Sequence, residues 1–326
     1  MQRYQLGKTA LQLTEIGLGC WIMGKSGWTN VRDEESLAAI HAAIDQGINW
    51  LDTAEGYGEG HSEEIIGEAV QGYNREKIII ATKVSPQHLS RKKLPEALSR
   101  SRRRLRTDYI DLYQVHWPNP YYEYNKDHPE TPLEETMEAL LSEQEKGNIR
   151  YIGVSNFNVE QMSQALAVGR FDSLQPPYSL FFRHIEKSIV PFCLENDIGI
   201  ITYSPLAQGL LTGKFSPDNR PAPEDNRSRN KLFRSPTFEA ALEAVETVRR
   251  VGEQYGKTPA QTAIRWVMQQ PGITSAIVGG RNPRQVRENV GAAGWELSDE
   301  DIETLSGVGK EVMSTLPDED LRMWTG

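Results

Sequence analysis

Short apolar runs alternate with longer amphipathic stretches along the whole chain. The short runs cover 14–19, 48–51, 78–82, 110–115, 151–154, 173–174, 198–202 and 275–278. They are rich in Ile, Val and Leu and continuous rather than alternating, the pattern of parallel strands covered on both faces. Between them lie helical patterns. Leu133, Met137, Leu140 and Leu141 share one helix face, as do Leu37, Ile40 and Ile44, and Val286 with Val290. Thr131-Pro132-Leu133-Glu134 reads as an N-cap, a first-position proline and a capping-box Glu, and Asn158-Val159-Glu160-Gln161 opens the next helix in the same way. Eight strand–helix units follow one another with no linker, low-complexity tract or shift in composition. They predict an α/β fold, a (β/α)8 TIM barrel, as one domain over 1–326. A doubly wound open sheet is the alternative.

Two stretches stand outside the eight units. Residues 4–13 hold Leu6-Gly7-Lys8-Thr9 between short apolar pieces, which predicts a β-hairpin ahead of the barrel. Residues 216–236 are polar, rich in Pro and Arg and without periodicity, the mark of a functional or disordered loop.

Composition narrows the function classes. The 326 residues carry 36 Lys and Arg against 45 Asp and Glu, a net charge of −9, which argues against a dedicated nucleic-acid binder. No run is apolar for long enough to span a membrane, and the first residues lack the apolar core of a signal peptide. Cys20 and Cys193 are too few for a disulfide framework or a thiolate metal site and fit a reducing cytosol. The expectation is a cytoplasmic enzyme or binding protein.

In a barrel the site lies where the strands end. The residues following the apolar runs are Asp52, Lys83, His116, Ser155-Asn156, Gln175 and Tyr203-Ser204. Each alone is consistent with a strand giving way to a loop; the succession points to a site. Tyr57 follows Asp52 in a glycine-flanked loop, Gly56-Tyr57-Gly58, which can return it over the barrel mouth. A cationic Lys83 beside Tyr57 would favour the tyrosinate and ease proton release, with Asp52 holding Lys83 charged. His116 could donate a hydrogen bond to a carbonyl. Together these make a proton-transfer site aimed at a carbonyl oxygen. Reduction there needs a hydride source, the chemistry of nicotinamide cofactors. Gly279-Gly280-Arg281-Asn282-Pro283 follows the last strand, with Asn282 as N-cap and Pro283 at the first helical position, so its helix N-terminus and Arg281 suit a phosphate.

These residues resemble the aldo-keto reductase superfamily along roughly 3–309. The resemblance rests on Gly17-Leu18-Gly19, Asp52-Thr53-Ala54 with Tyr57-Gly58, Ala81-Thr82-Lys83, Asp108-Tyr109-Ile110-Asp111-Leu112, His116-Trp117-Pro118, Gly153-Val154-Ser155-Asn156-Phe157, Tyr203-Ser204-Pro205-Leu206 and Arg287-Glu288-Asn289. Within the family the chain is most similar to the bacterial inositol-operon and general-stress reductases. The resemblance implies NADPH-dependent reduction of a small-molecule carbonyl and a tetrad of Asp52, Tyr57, Lys83 and His116. It implies that Ser155, Asn156 and Gln175 hold the carboxamide, and that Tyr203 stacks on the nicotinamide. Ser204, Leu206, Gln208, Gly209 and Lys214 would line the pyrophosphate tunnel, and Gly280, Arg281, Gln285, Glu288 and Asn289 the adenosine end. Many members carry Lys-Ser at Gly279-Gly280 and Arg at Gln285, so Arg281, Arg227 and Arg229 are the basic residues left for a 2′-phosphate; NADH is the alternative to NADPH. The tail beyond Gly309 is short, so a pocket wall built there by other members does not carry over.

Other signals carry less. The five arginines of 99–106 read as an exposed helix face. Gly209-Leu210-Leu211-Thr212-Gly213-Lys214-Phe215 departs from a phosphate-binding loop in spacing and in its Phe. No metal-binding motif is present. Cys20 reads as a buried spectator thiol, and Trp21 and Trp117 as substrate-pocket walls. Two rivals to the reductase are a non-catalytic NADPH-bound regulator, like potassium-channel β subunits, and a lyase using Lys83 as a Schiff base.

Overall fold

The computed structural model describes residues 1–28, 30–119, 130–223 and 225–316. An antiparallel pair, β1 (Arg3–Gln5) and β2 (Gln12–Thr14), precedes eight parallel strands. These are β3 (Ile16–Gly19), β4 (Trp50–Asp52), β5 (Ile79–Val84), β6 (Ile110–Val115), β7 (Ile149–Ser155), β8 (Ser173–Gln175), β9 (Gly199–Tyr203) and β10 (Ile273–Gly279). They close in chain order into a barrel, β10 pairing with β3. The fold is the (β/α)8 TIM barrel with an N-terminal hairpin.

Alternation along the strands sets what the barrel holds inside. Leu18, Leu51, Ile80, Val84, Val115, Ile152, Val154, Ile200 and Val278 belong to the large outer core under the helices. The other parity makes a separate inner core of Trp50, Ile79, Ala81, Leu112, Ile201 and Ile277, with Tyr151 and Tyr203 packed on it. Leu6, Leu11 and Leu13 of the hairpin join this inner core. The hairpin covers the N-terminal ends of the strands: Gly7 lies against the backbone of Asp172 and Gly199, where β8 and β9 begin. One barrel end is thus plugged, and the C-terminal end is the one left for chemistry. The widest inner side chain, Trp50, needs room from its neighbour. A Cβ on Gly17 would fall 2.1 Å from the Trp50 ring. The indole N–H donates to Thr14 O (3.2 Å) and Ser275 Oγ (3.1 Å), so its burial leaves no orphan donor.

The helices are α1 (Asp33–Asp45), α2 (His61–Ala69), α3 (Lys93–Leu105), α4 (Leu133–Glu145), α5 (Val159–Val168), α6 (Ile189–Glu195), α7 (Thr237–Gln254), α8 (Pro259–Met268), α9 (Pro283–Val290) and α10 (Asp299–Ser314). Among the described residues that is two more than eight units need. Helix α7 precedes α8 between β9 and β10, and α10 follows α9 and packs on α7. The capping box of α5 forms as expected, Asn158 and Gln161 exchanging hydrogen bonds. The one expected for α4 does not. Pro132 has ψ 138, so the helix begins at Leu133, Pro132 itself takes the cap position, and Thr131 lies one residue too early to cap it. The loop 216–236 holds two short 3-10 turns, Asn226–Arg229 and Lys231–Phe233. The last part of the tail, 317–326, lies outside the described residues.

Candidate active site

The strands run about one residue past the apolar runs, and their last inward positions are the polar ones. Asp52 shares parity with Trp50, Lys83 with Ile79 and Ala81, Gln175 with Ser173, and Tyr203 with Ile201. His116 follows β6, two residues beyond Gln114. The barrel therefore changes along its axis from an apolar plug to a polar floor. Above this floor opens a cleft of about 1500 Å³. Asp52, Tyr57 and His116 line it, as do Trp21 and Trp117.

Lys83 is wholly buried beneath that floor. A buried ammonium needs partners for each of its protons. Lys83 Nζ finds Asp52 Oδ2 at 2.7 Å, Thr53 O at 2.8 Å and Tyr57 Oη at 3.2 Å. Burial alone would draw its pKa down, but the charges of Asp52 and Tyr57 and their hydrogen bonds carry it above its ordinary value. Asp52 is held from its other oxygen by Gln175 Nε2 at 2.8 Å and Gln114 Nε2 at 3.4 Å. Burial raises Tyr57; Lys83 pulls it the other way, yet the net shift is upward, with Asp52 adding to it. Lys83 therefore pulls toward the tyrosinate, and burial outweighs that pull. Tyr57 stays a neutral O–H donor, because burial opposes its charge and the nearer partner of Lys83 is Asp52. The His116 ring lies edge-on to Tyr57, 5.4 Å between centroids. Burial first, and then the Lys83 charge, holds His116 well below the usual histidine range. It is a neutral imidazole.

The residues expected at the cofactor all line the same cleft: Ser155, Asn156, Gln175, Tyr203, Ser204, Leu206, Gln208, Gly209, Lys214, Gly280, Arg281, Gln285, Glu288 and Asn289. Several are already locked to one another. Ser155 Oγ donates to Gln175 O (2.7 Å), Asn156 Nδ2 to His116 O (3.0 Å), and Tyr203 Oη to Asn156 Oδ1 (2.9 Å). Asn156, Ser204, Ala207 and Gln208 all have positive φ, strain of the kind that concentrates where a loop must present groups to a ligand.

Farther along, Lys214, Arg227 and Arg281 converge. Lys214 opens to the cleft, yet loss of surrounding water and then the charges of Arg227 and Arg281 lower its pKa to about 8, against the opposing pull of Asp225. The start of α9 differs from the expectation of free N–H groups for phosphate. Asn282 Oδ1 accepts the Gln285 N–H (3.1 Å), and Gln285 Oε1 accepts the Arg281 N–H (2.9 Å). Pro283 has no N–H, so of the four donors at the helix start those of Asn282 and Arg284 remain. The positive charge at this end of the cleft is carried by the Lys214, Arg227 and Arg281 side chains.

The sequence reading missed some of the site. Gln114 braces Asp52, and its signal was available: it stands two residues before His116 in a strand. Trp28 also lines the cleft, packed edge-on to Trp21 at 5.1 Å. The arginine-rich α3 is not merely an exposed face. Arg104 pairs with the fully buried Glu63 at 2.6 Å, Arg102 bonds Asn148, and Arg100 lines the cleft. The Cys20 thiol is buried and lies 3.7 Å from Leu18 O, a weak bond.

The family model described as the aldo/keto reductase family matches residues 15–310. The chain is 37% identical over 324 residues to the aldo-keto reductase YhdN of Bacillus subtilis (strain 168), covering 96% of this chain and 95% of that protein. It is 32% identical over 323 residues to the NADH-specific methylglyoxal reductase of Escherichia coli (strain K12), covering 92% and 96%. Among solved structures, the glycerol dehydrogenase of Gluconobacter oxydans superposes with a TM-score of 0.86 at 34% identity, over 97% of this chain and 98% of that one. An aldo-keto reductase from Klebsiella pneumoniae in complex with NADPH gives 0.74 at 29%, over 100% and 99%. The barrel, the strand-end residues and these likenesses agree: the chain belongs to the aldo/keto reductase family of oxidoreductases.

Proposed function

We propose that this protein reduces small aldehydes or ketones to alcohols with NADPH, and that Tyr57 is the proton donor. The observation that carries the reading is the arrangement of Tyr57, Lys83 and Asp52 at the polar floor, with His116 beside the phenol. The cleft fits a dinucleotide: it runs from this floor past Tyr203 and the strained 204–209 turn to the Lys214, Arg227 and Arg281 cations. In the proposed mode Ser155, Asn156 and Gln175 hold the carboxamide and Tyr203 meets the nicotinamide ring. Ser204, Leu206, Gln208, Gly209 and Lys214 follow the pyrophosphate. Gly280, Arg281, Gln285, Glu288 and Asn289 surround the adenosine end, where the cations favour the extra phosphate of NADPH over NADH. When bound, the cofactor supplies the hydride that reduces the carbonyl carbon.

The protein's own groups handle the oxygen. Neutral His116 donates a hydrogen bond that orients the carbonyl. Tyr57 gives its proton to the oxygen as negative charge develops there. Lys83, held charged by Asp52, stabilises the tyrosinate left behind. Trp21, Trp28 and Trp117 wall the mouth and exclude water from the reacting carbonyl. A Schiff base on Lys83 is disfavoured by this same geometry, since the amine is fully buried and engaged three times.

The test is the initial rate of NADPH oxidation across a panel of small aldehydes, wild type beside Tyr57→Phe. Removing a general acid lowers kcat by about 10²–10⁴-fold, and that loss is expected here with NADPH affinity retained. Undiminished turnover by Tyr57→Phe overturns the assignment. NADPH binding without turnover in the wild type moves the protein to the regulator class.

A further inference from the structure

We propose that Glu55 is a positioning residue: it ties the loop that carries Tyr57 to the strand end that carries Lys83, and so sets the distance between them. The proposal rests on the reading of Tyr57 as proton donor.

Glu55 is a buried carboxylate outside the tetrad, two residues before Tyr57. A carboxylate taken from water must be held by donors or charges. Its partners all lie on the next βα unit. Oε1 accepts the Ser85 N–H at 2.8 Å and meets His88 Nδ1 at 2.8 Å. Oε2 faces the Arg100 guanidinium at 3.7 Å. The Glu55 backbone N–H donates to Lys83 O at 3.2 Å. Side chain and backbone therefore grip the same stretch, from Lys83 to His88. Burial would raise the carboxyl pKa, but the His88 and Ser85 hydrogen bonds and the His88 and Arg100 charges outweigh it and hold Glu55 below its usual range. It is an ionised tether at neutral pH. Tyr113 also feels it: burial, then the charges of Glu55 and Glu63, raise that phenol, against Arg100 and Arg104.

The remaining contacts pin the Tyr57 loop from the opposite side. Thr53 Oγ1 and Ser62 Oγ lie 2.8 Å apart, and Ser62 Oγ donates to Cys20 O at 2.8 Å. A Cβ on Gly58 would lie 2.0 Å from Gly24 O, so the loop also packs tightly on the segment after β3. These bonds fix the loop against β3 and α2, whereas Lys83 stands on β5. Of the three Lys83 bonds the one to Tyr57 is the longest, and it alone reaches into the loop beyond Thr53. Glu55 adds side-chain contacts between that loop and the β5 end to the Lys83–Tyr57 bond and to the backbone bonds of Thr53 N–H to Ala81 O (2.9 Å) and Glu55 N–H to Lys83 O. Without them the phenol is held less firmly to the ammonium that stabilises its anion.

The experiment uses the full chain with NADPH and an aldehyde it reduces. Glu55→Gln keeps an acceptor within reach of Ser85 and His88. Glu55→Asp keeps the charge but is one methylene too short, and Glu55→Ala removes both. A misplacement of about 1 Å at a reacting group costs on the order of 10²-fold. Glu55→Asp and Glu55→Ala are therefore expected to lose about 10- to 100-fold in kcat, with KM for the aldehyde and Kd for NADPH within about twofold. Their solvent deuterium isotope effect on kcat should rise, because proton transfer from a displaced phenol becomes slower. Glu55→Gln should recover most of the rate. Glu55→Asp guards against a Glu55→Ala chain that fails to fold, and thermal unfolding is followed for all three. The tether is overturned by Glu55→Asp retaining kcat within about twofold, by losses that track the unfolded fraction, or by Glu55→Gln and Glu55→Asp falling equally. Tyr57→Phe is measured in parallel. If it retains turnover, the proton-donor reading itself fails; if it is inactive while Glu55→Asp is normal, only the tether fails.

Discussion

At the scale of single residues, the site is decided by which charge each group is nearest. Lys83 lies 0.5 Å closer to Asp52 than to Tyr57 (2.7 against 3.2 Å), and burial opposes a tyrosinate, so the phenol keeps its proton. Lys214 is the complementary case. Loss of surrounding water and two neighbouring guanidiniums bring its pKa down to about 8. A lysine with a lowered pKa loses its charge as pH rises through that value, so in the proposed cofactor mode its grip on phosphate is present below about pH 8 and fades above it. A bound dianion opposes the shift and pulls the proton back on. The Kd for NADPH, read by quenching of protein fluorescence, should therefore rise between pH 7 and 9 in the wild type. In Lys214→Met it should be weaker at pH 7 and nearly flat over the same range. A wild-type Kd that stays constant across this window removes Lys214 from phosphate binding.

At the scale of elements, the strands were the easiest to see from sequence. The barrel strands are largely buried on both faces, so most read as short Ile-, Val- and Leu-rich runs, though β6 holds Asp111 and Gln114 and β7 an exposed Arg150. What that pattern hides is which alternate positions point inward, and the inner core depends on this. Gly17 exists for Trp50: the space a Cβ would take is filled by the indole. Gly17→Ala is expected to destabilise the protein by about 1–3 kcal/mol, the usual cost of overpacking a tight core. Urea unfolding measures it, and a midpoint within error of wild type would contradict the packing argument. The same blindness explains Gln114. Periodicity places it in β6, but only closure of the barrel brings it to Asp52 from across 62 residues of chain. Glu55 was missed for the related reason that its partners sit on the next loop. The α4 cap failed on a smaller point, a one-residue shift imposed by the extended ψ of Pro132. By contrast, Asn158 and Asn282 cap their helices as the sequence suggested, because those bonds are local and need no knowledge of the fold.

At the scale of the whole molecule, the order of the barrel explains how the cleft is roofed. Strand β10 lies between β9 and β3. The segment after β3 (25–28) and the loop after β9 (225–229) therefore flank the end of β10, where Gly280 and Arg281 lie. They meet across it. Asn226 Nδ2 reaches Ser26 O at 3.5 Å, and the Arg227 guanidinium sits 5.6 Å from the Trp28 ring and 5.5 Å from Phe215 while bonded to Asp225. Among the described residues the bridge includes this long hydrogen bond, the ring contacts and the packing of Asn226 on Gly27, where a Cβ would fall 1.9 Å from Asn226 Nδ2. Phosphate bound between Lys214, Arg227 and Arg281 would add charge-assisted bonds from both sides of the cleft and hold it shut. Trypsin provides the measurement, because Arg227 and Arg229 lie in this loop and neither is followed by proline. Cleavage there should slow markedly with saturating NADPH, and slow less with NADH, which lacks the phosphate that engages the cations. Equal cleavage rates with and without NADPH would show that the strap does not respond to the cofactor, and the affinity of this end of the cleft would then have to come from Arg281 and Lys214 alone.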